Sequence, residues 1–105
     1  MPTWSVVVRG SIVELRTLFH ADFDYQTLYP CPYRDALGEP MDDRCYAWCE
    51  ERWGSRDSAV DIRMSYDEEA SVLYVELVAE ALPVGLFKSL GERFPKIEIT
   101  SSLIS

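Results

Sequence analysis

Two runs of alternating apolar and polar residues, separated by a polar turn, occupy residues 60 to 79. The first run is apolar at positions 60, 62 and 64, and the second at positions 73, 75, 77 and 79. Side chains of a strand point alternately to its two faces, so this spacing gathers each apolar set on one face. The pattern predicts a β-hairpin with one face that must be covered by other parts of the chain.

A strand followed by a helix opens the chain, and a helix followed by a strand closes it. Residues 4 to 9 alternate as a strand, and Ser11-Ile12-Val13-Glu14 has the capping-box form that begins a helix, which we expect to end near His20. Pro83 suits the first turn of a helix with one apolar stripe, and Pro95 forces that helix to end. Residues 96 to 103 alternate again and predict a final strand.

The middle of the chain is less regular. Residues 23 to 29 are aromatic and partly alternating, which predicts a short strand, and the prolines and glycine of residues 30 to 40 predict a loop. From Asp42 onward an apolar set recurs at helical spacing up to Gly54, which is a typical helix stop. This set, which we expect in the core, consists of Cys45, Trp48, Cys49 and Trp53.

The order of these elements predicts the fold class. Amphipathic helices and strands with one apolar face specify an α+β protein built as a two-layer sandwich. We expect a ferredoxin-like antiparallel sheet of four to five strands with the helices on one face. The chain length of 105 residues suits one domain, which would span residues 1 to 105 and carry a loop-helix insertion at about residues 30 to 54.

Charge and cysteine content narrow the classes of function. The net charge of −8 opposes binding to phosphate backbones, so we expect no direct contact with nucleic acid. No apolar run approaches the roughly 20 residues that cross a bilayer, and the first residues do not resemble a signal peptide. Three cysteines, an odd number, predict free reduced thiols. We therefore expect a cytoplasmic protein that does not bind membranes.

Several short motifs resemble the ferredoxin-like domain of YubB-type proteins from phages and plasmids, which has relatives in large DNA viruses. The opening Met1-Pro2-Thr3-Trp4 is similar to the Met-Pro-Asn-Trp start of that family, and Trp53-Gly54-Ser55-Arg56-Asp57 resembles its Trp-Gly-Thr-Lys-Trp-Asp. Ala81-Leu82-Pro83 with the later Phe94-Pro95 resembles its proline-started helix and Phe-Pro ending. The resemblance implies a viral or mobile-element origin and work in the host cell cytoplasm, and it implies no specific activity.

Two clusters could carry metal or acid-base chemistry. Cys45 and Cys49 lie on one helix face, with Cys31 and His20 as further conceivable ligands of a soft metal. Cysteine is also among the residues most often buried, and the spacing of no recognised zinc module is present. His20 with Asp22 and Asp24 has a simpler interpretation as a helix end followed by a turn. We therefore predict no bound metal, no cofactor and no catalytic residue.

The aromatic residues point to binding instead. Seven of the thirteen aromatic side chains lie within residues 23 to 53, and tyrosine, tryptophan and arginine are the types enriched in interface hot spots. The predicted binding residues are Tyr29, Tyr33, Arg34 and Arg56. Arg56 and Asp57 are also expected to hold the turn after the second long helix, through an ion pair and local hydrogen bonds.

These observations favour a noncatalytic protein-binding or assembly module, which binds a protein partner or associates with itself. Two alternatives stay open. One is a small metal- or thiol-dependent enzyme, for which Cys31 with His20 is the best thiol-imidazole pair. The other is an acidic decoy for a basic nucleic-acid-binding protein, which the net charge of −8 would favour.

Overall fold

The computed structural model describes residues 1 to 105 as a four-stranded antiparallel sheet with four helices. The strands follow the order β2-β3-β1-β4 across the sheet. In chain order the elements are β1 (Thr3–Arg9), α1 (Ile12–His20), α2 (Tyr25–Leu28), α3 (Arg44–Arg52), β2 (Asp61–Asp67), β3 (Val72–Val78), α4 (Val84–Arg93) and β4 (Glu98–Leu103). The predicted α+β class is therefore confirmed.

The register of the strands places the apolar set of each strand on a common face. Val6 of β1 pairs with Val75 of β3, and Val8 pairs with Leu73 on one side and with Ile99 on the other. These side chains join one core cluster with residues from all four helices. The opposite face has no helix over it and leaves side chains such as Tyr74 exposed.

The N-terminus of α1 shows how closely local sequence specifies local structure. The Ser11 hydroxyl accepts a hydrogen bond from the backbone N–H of Glu14 at 3.3 Å, and the Glu14 carboxylate accepts one from the N–H of Ser11 at 3.4 Å. This reciprocal pair is the predicted capping box. The structure likewise confirms the predicted first strand, the hairpin, the last helix and the final strand.

The strand predicted at residues 23 to 29 is wrong, and this segment contains the short helix α2. Asp22 and Phe23 adopt positive φ angles of 57° and 49°, which turn the chain sharply after α1. The carboxylate of Asp24 then accepts from the N–H of Thr27 at 3.0 Å and caps α2. Because this segment forms a short helix instead of pairing with a strand, the sheet has four strands.

The structure contains no helix that combines the length and the apolar character needed to cross a membrane. Between α2 and α3 the chain makes one isolated bridge, from Arg34 to Pro40. Helix α3 is followed by Gly54, whose φ of 81° lies in the left-handed region that favours glycine. These two irregular segments bring the residues of the candidate site together.

Candidate functional site

Helix α3 directs its apolar face into the core. Cys45, Cys49 and Trp53 are fully buried, as predicted. The indole N–H of Trp53 donates to the backbone carbonyl of Tyr29 at 2.8 Å, which ties the end of α3 to the end of α2. Trp48 is half-buried, so its predicted place within the core is wrong. It lies at the margin of the core, edge-on to the rings of Tyr29 and Trp53 at 5.1 and 6.0 Å.

Cys31 joins the two cysteines of α3 in a buried cluster of three thiols, named here the thiol cluster. Its Sγ lies 3.9 Å from Sγ of Cys45, which lies 3.9 Å from Sγ of Cys49, and all three atoms are within 4.8 Å of one another. Gln26 holds Cys31 in place: its side-chain amide accepts from the Cys31 N–H at 3.0 Å and donates to the Cys31 carbonyl at 3.2 Å.

The side chain of Arg34 covers the thiol cluster and is 6% exposed. Its Nη2 lies 3.7 Å from Sγ of Cys49 and 3.2 Å from Oδ1 of Asp57, while Nη1 donates to the carbonyl of Gly38 at 2.7 Å. The guanidinium also lies over the ring of Trp53 at 5.2 Å. Its Nε is buried without a hydrogen-bond partner. A planar cation thus faces the thiols at close range.

Burial sets the protonation of the thiols of α3. Desolvation raises the pKa of Cys49 to about 12, and it also raises the pKa of Cys45, while the nearby Arg34 opposes both shifts. Both groups are therefore neutral thiols at pH 7 in the protein without a bound ion. The predicted alternative of a thiol enzyme needs a thiolate that substrate can reach, and Cys31 is buried while His20 is exposed.

The four predicted binding residues occupy different environments. Arg34 is buried at the thiol cluster, and Tyr29 packs against Trp48. Tyr33 lies under the guanidinium of Arg44, with 4.5 Å between the cation and the ring centroid. Arg56 is exposed and lies over the ring of Tyr46 at 4.8 Å. Because the side chain of Arg34 is buried, the four side chains do not all lie on an exposed surface.

In the turn after α3, Asp57 has the structural role predicted for it, and Arg56 does not form the ion pair predicted for it. The carboxylate of Asp57 accepts from the N–H of Ser58 at 2.9 Å and pairs with Arg34, so Asp57 holds the turn as predicted. Arg56 forms no salt bridge with a carboxylate, and its guanidinium lies over the Tyr46 ring. The ion pair predicted for Arg56 is therefore wrong.

A surface cleft of about 440 Å³ opens beside this stacked pair, named here the acidic cleft. Three carboxylates line it, from Glu50 of α3, Asp57 of the turn and Glu80 after β3. Its other lining residues include Tyr46, Ser55, Arg56, Val60 and Met1. Sequence reasoning missed Glu50 and Glu80, because thirty positions separate them and nothing in their local pattern shows that the fold brings them together.

The thiol cluster and the acidic cleft lie on opposite ends of the Arg34–Asp57 ion pair, since Arg34 contacts Cys49 and Asp57 lines the cleft. The thiol cluster offers soft sulfur ligands in the interior, and the acidic cleft offers carboxylates at the surface. The chain matches no family profile and has no significant similarity to a curated protein or to a solved structure.

Proposed function

We propose that this chain is a noncatalytic module that binds a basic segment of a partner protein in the acidic cleft. The observation that carries the proposal is the convergence of Glu50, Asp57 and Glu80 around the stacked pair Tyr46 and Arg56. Carboxylates complement lysine and arginine side chains, and the half-buried Tyr46 and the exposed Arg56 are of the residue types found in interface hot spots.

Two features of the cleft suit a protein segment. Its rim includes the exposed apolar side chains of Val60 and Met1, which are 71% and 66% exposed and would lose water when a partner binds. The net charge of −8 extends the same attraction beyond the cleft and would speed the encounter with a basic partner. A second copy of this chain carries the same negative charge, so self-association is less favoured than a basic partner.

The cleft lacks the groups that nucleophilic catalysis by a thiol or by an activated hydroxyl would need. It contains no histidine and no cysteine, and the hydroxyl of Ser55 donates to the carbonyl of Asp57 at 2.8 Å instead of facing a base. A carboxylate-lined recess that offers no thiol and no imidazole suits recognition of a basic segment. A partner that uses the same basic segment for nucleic acid would make this chain a decoy, which is a special case of the proposal.

We also propose a ferredoxin-like arrangement and a relationship to the YubB-type proteins. Without α2 and α3 the order of elements is strand, helix, strand, strand, helix, strand, and the sheet order β2-β3-β1-β4 is consistent with two interleaved split β-α-β units. In the motif that resembles the YubB-type proteins, the Trp53 ring is buried and Gly54 adopts a left-handed conformation. The fold therefore explains why tryptophan and glycine occur at these two positions. A viral or mobile-element origin and a location in the host cell cytoplasm would follow from this relationship.

Fluorescence anisotropy with labelled peptides tests the binding proposal. We expect a peptide rich in lysine and arginine to bind, an acidic peptide of equal length not to bind, and added salt to weaken the complex. The double variant Glu50→Gln with Glu80→Gln should lose about tenfold in affinity, which is about 1.4 kcal/mol. Arg56→Ala removes a positive charge from the cleft, so it should not weaken binding of the basic peptide, and it should leave thermal stability unchanged because Arg56 is exposed and its contact is the Tyr46 ring.

The matched control is the double variant Glu69→Gln with Glu98→Gln, which removes the same charge from exposed positions outside the cleft. It should retain nearly all of the affinity. Equal losses in the two double variants would show that net charge alone attracts the peptide, and they would contradict the proposed cleft. Absence of binding to any basic peptide at low salt would contradict the function itself.

A further inference from the structure

We propose that Cys31, Cys45 and Cys49 form a site for one soft divalent metal ion of the zinc and cadmium class, with Arg34 as the residue that balances its charge. The site is distinct from the acidic cleft and does not depend on the proposed partner. Its ligands come from a loop and from two successive turns of α3, so the tertiary structure creates it.

The sulfur geometry is close to what such an ion requires. Zinc binds thiolate sulfur at about 2.3 Å, which places two sulfurs of a tetrahedral ion about 3.8 Å apart. Two of the sulfur pairs in the cluster lie at 3.9 Å, and the third lies within 4.8 Å. The third distance exceeds the tetrahedral value by at most about 1 Å.

Arg34 is the second observation that points to an ion. Its side chain is 6% exposed, its Nη2 is 3.7 Å from Sγ of Cys49, and its Nε has no partner. The Gly38 carbonyl and the Asp57 carboxylate support the buried guanidinium, but the neutral thiol of Cys49 that faces its Nη2 is only a weak acceptor. Three thiolates with a divalent ion carry one negative charge, which the guanidinium of Arg34 would stabilise at close range, although it also pairs with the exposed carboxylate of Asp57.

The ligand set selects the class of metal. The cluster offers three sulfurs and includes no imidazole and no carboxylate, so it does not suit the hard ions magnesium and calcium, which take oxygen ligands. Binding would replace three S–H bonds by three metal–sulfur bonds and release three protons to the solvent. No oxidant or reductant takes part, and the ion keeps its charge of +2.

The test is a titration of the reduced protein, kept with a non-thiol reductant, with Zn²⁺, Cd²⁺, Mg²⁺ and, in a separate anaerobic arm, Cu⁺. We expect one Zn²⁺ or Cd²⁺ per chain, about three protons released per ion in weakly buffered solution, and a rise in the melting temperature. Cd²⁺ should produce the ultraviolet charge-transfer band of cadmium–thiolate bonds, and Mg²⁺ should change nothing. The Cd²⁺ band reports the bonds in the unmodified chain and needs no variant.

Variants assign the ligands. Cys31→Ala should abolish the band and the stoichiometric binding, and Arg34→Gln should weaken the affinity for Zn²⁺ by about ten- to a hundredfold, as expected for a residue that supports the ligands. Val8→Ala is the control, because it removes buried volume from β1, which carries none of the three thiols, so it should lower the melting temperature and keep the binding.

Three outcomes would overturn the proposal. They are the absence of Zn²⁺ and Cd²⁺ binding to the folded reduced chain, binding that survives Cys31→Ala, and an affinity for Zn²⁺ that Arg34→Gln leaves unchanged. Binding of Cu⁺ without binding of Zn²⁺ or Cd²⁺ would also overturn it, because a monovalent ion would contradict the charge balance at Arg34.

Discussion

Arg34 and Asp57 form a salt bridge in which one partner is buried and the other is exposed: the side chains are 6% and 69% accessible, and 3.2 Å separates Nη2 from Oδ1. The bridge joins the loop before α3 to the turn after it. Since Asp57 stays in water, the burial of Arg34 has to be supported by its other contacts, which are the Gly38 carbonyl, Cys49 and the Trp53 ring.

Replacement of Arg34 should therefore be costly. We expect Arg34→Ala to lower the free energy of unfolding by about 2 kcal/mol, because it removes several hydrogen bonds and the packing over Trp53. Urea denaturation measures this. Arg63→Ala is the control, since its ion pair with Asp61 is exposed and should change stability by less than about 0.5 kcal/mol. Equal effects of the two changes would contradict the structural role of Arg34.

Tyr25 has a buried hydroxyl without a hydrogen-bond partner, and its ring packs edge-on against Trp53 at 5.4 Å. Tyr25→Phe keeps the ring contact and removes the unsatisfied group, so we expect the free energy of unfolding to rise by about 1 kcal/mol. Tyr74→Phe serves as the control, because Tyr74 is 45% exposed and its hydroxyl can reach water. A marked loss of stability in Tyr25→Phe would show that the hydroxyl has a partner.

The same residue predicts a dependence on alkaline pH. Burial raises the pKa of Tyr25, so the folded protein keeps the phenol protonated while the unfolded chain loses this proton near pH 10. The unfolded state then binds fewer protons than the folded state, and stability must fall as the pH rises above about 10. We expect Tyr25→Phe to flatten this decline, as measured by urea denaturation at pH 9 and pH 11. Parallel declines in the two proteins would contradict the shifted pKa.

Two glycines of α4 should respond in opposite ways to alanine. A Cβ at Gly85 would clash with the carbonyl of Arg52 and lie 2.9 Å from the carbonyl carbon of Trp53, where the N–H of Gly85 donates at 2.8 Å. Gly85→Ala should therefore cost about 3 kcal/mol or more, because α3 and α4 must separate. Gly91 has open space around it, so Gly91→Ala should stabilise the helix by about 0.5 to 1 kcal/mol. Thermal unfolding of both variants decides this, and a neutral Gly85→Ala would contradict the close approach.

The two tryptophans of the α3 region should differ in their contribution. Trp53 is fully buried and donates a hydrogen bond to Tyr29, so we expect Trp53→Ala to cost about 4 to 5 kcal/mol. Trp48 is half-buried and keeps one side toward water, so Trp48→Ala should cost about 2 kcal/mol, less than its expected place in the core would imply. Equal losses in urea denaturation would contradict this difference in burial.

The residues that lie close together in sequence determined most of the secondary structure. The capping box at Ser11 and Glu14, the alternation in the hairpin and the prolines around α4 each act within a few positions, so the chain pattern alone predicts them. The failure at residues 23 to 29 has a local cause as well. Phe23, Tyr25 and Leu28 reach the core through a left-handed turn and one helical turn, which an aromatic run does not distinguish from a strand.

Only the tertiary structure decided which side chains could act together. The spacing of Cys45 and Cys49 follows from the helix period, but the arrival of Cys31 depends on the loop that Gln26 holds. Arg34 is among the predicted binding residues, and the fold buries its side chain against Cys49. Contacts between residues far apart in the chain depend on how whole elements pack, and periodicity contains no information about that packing.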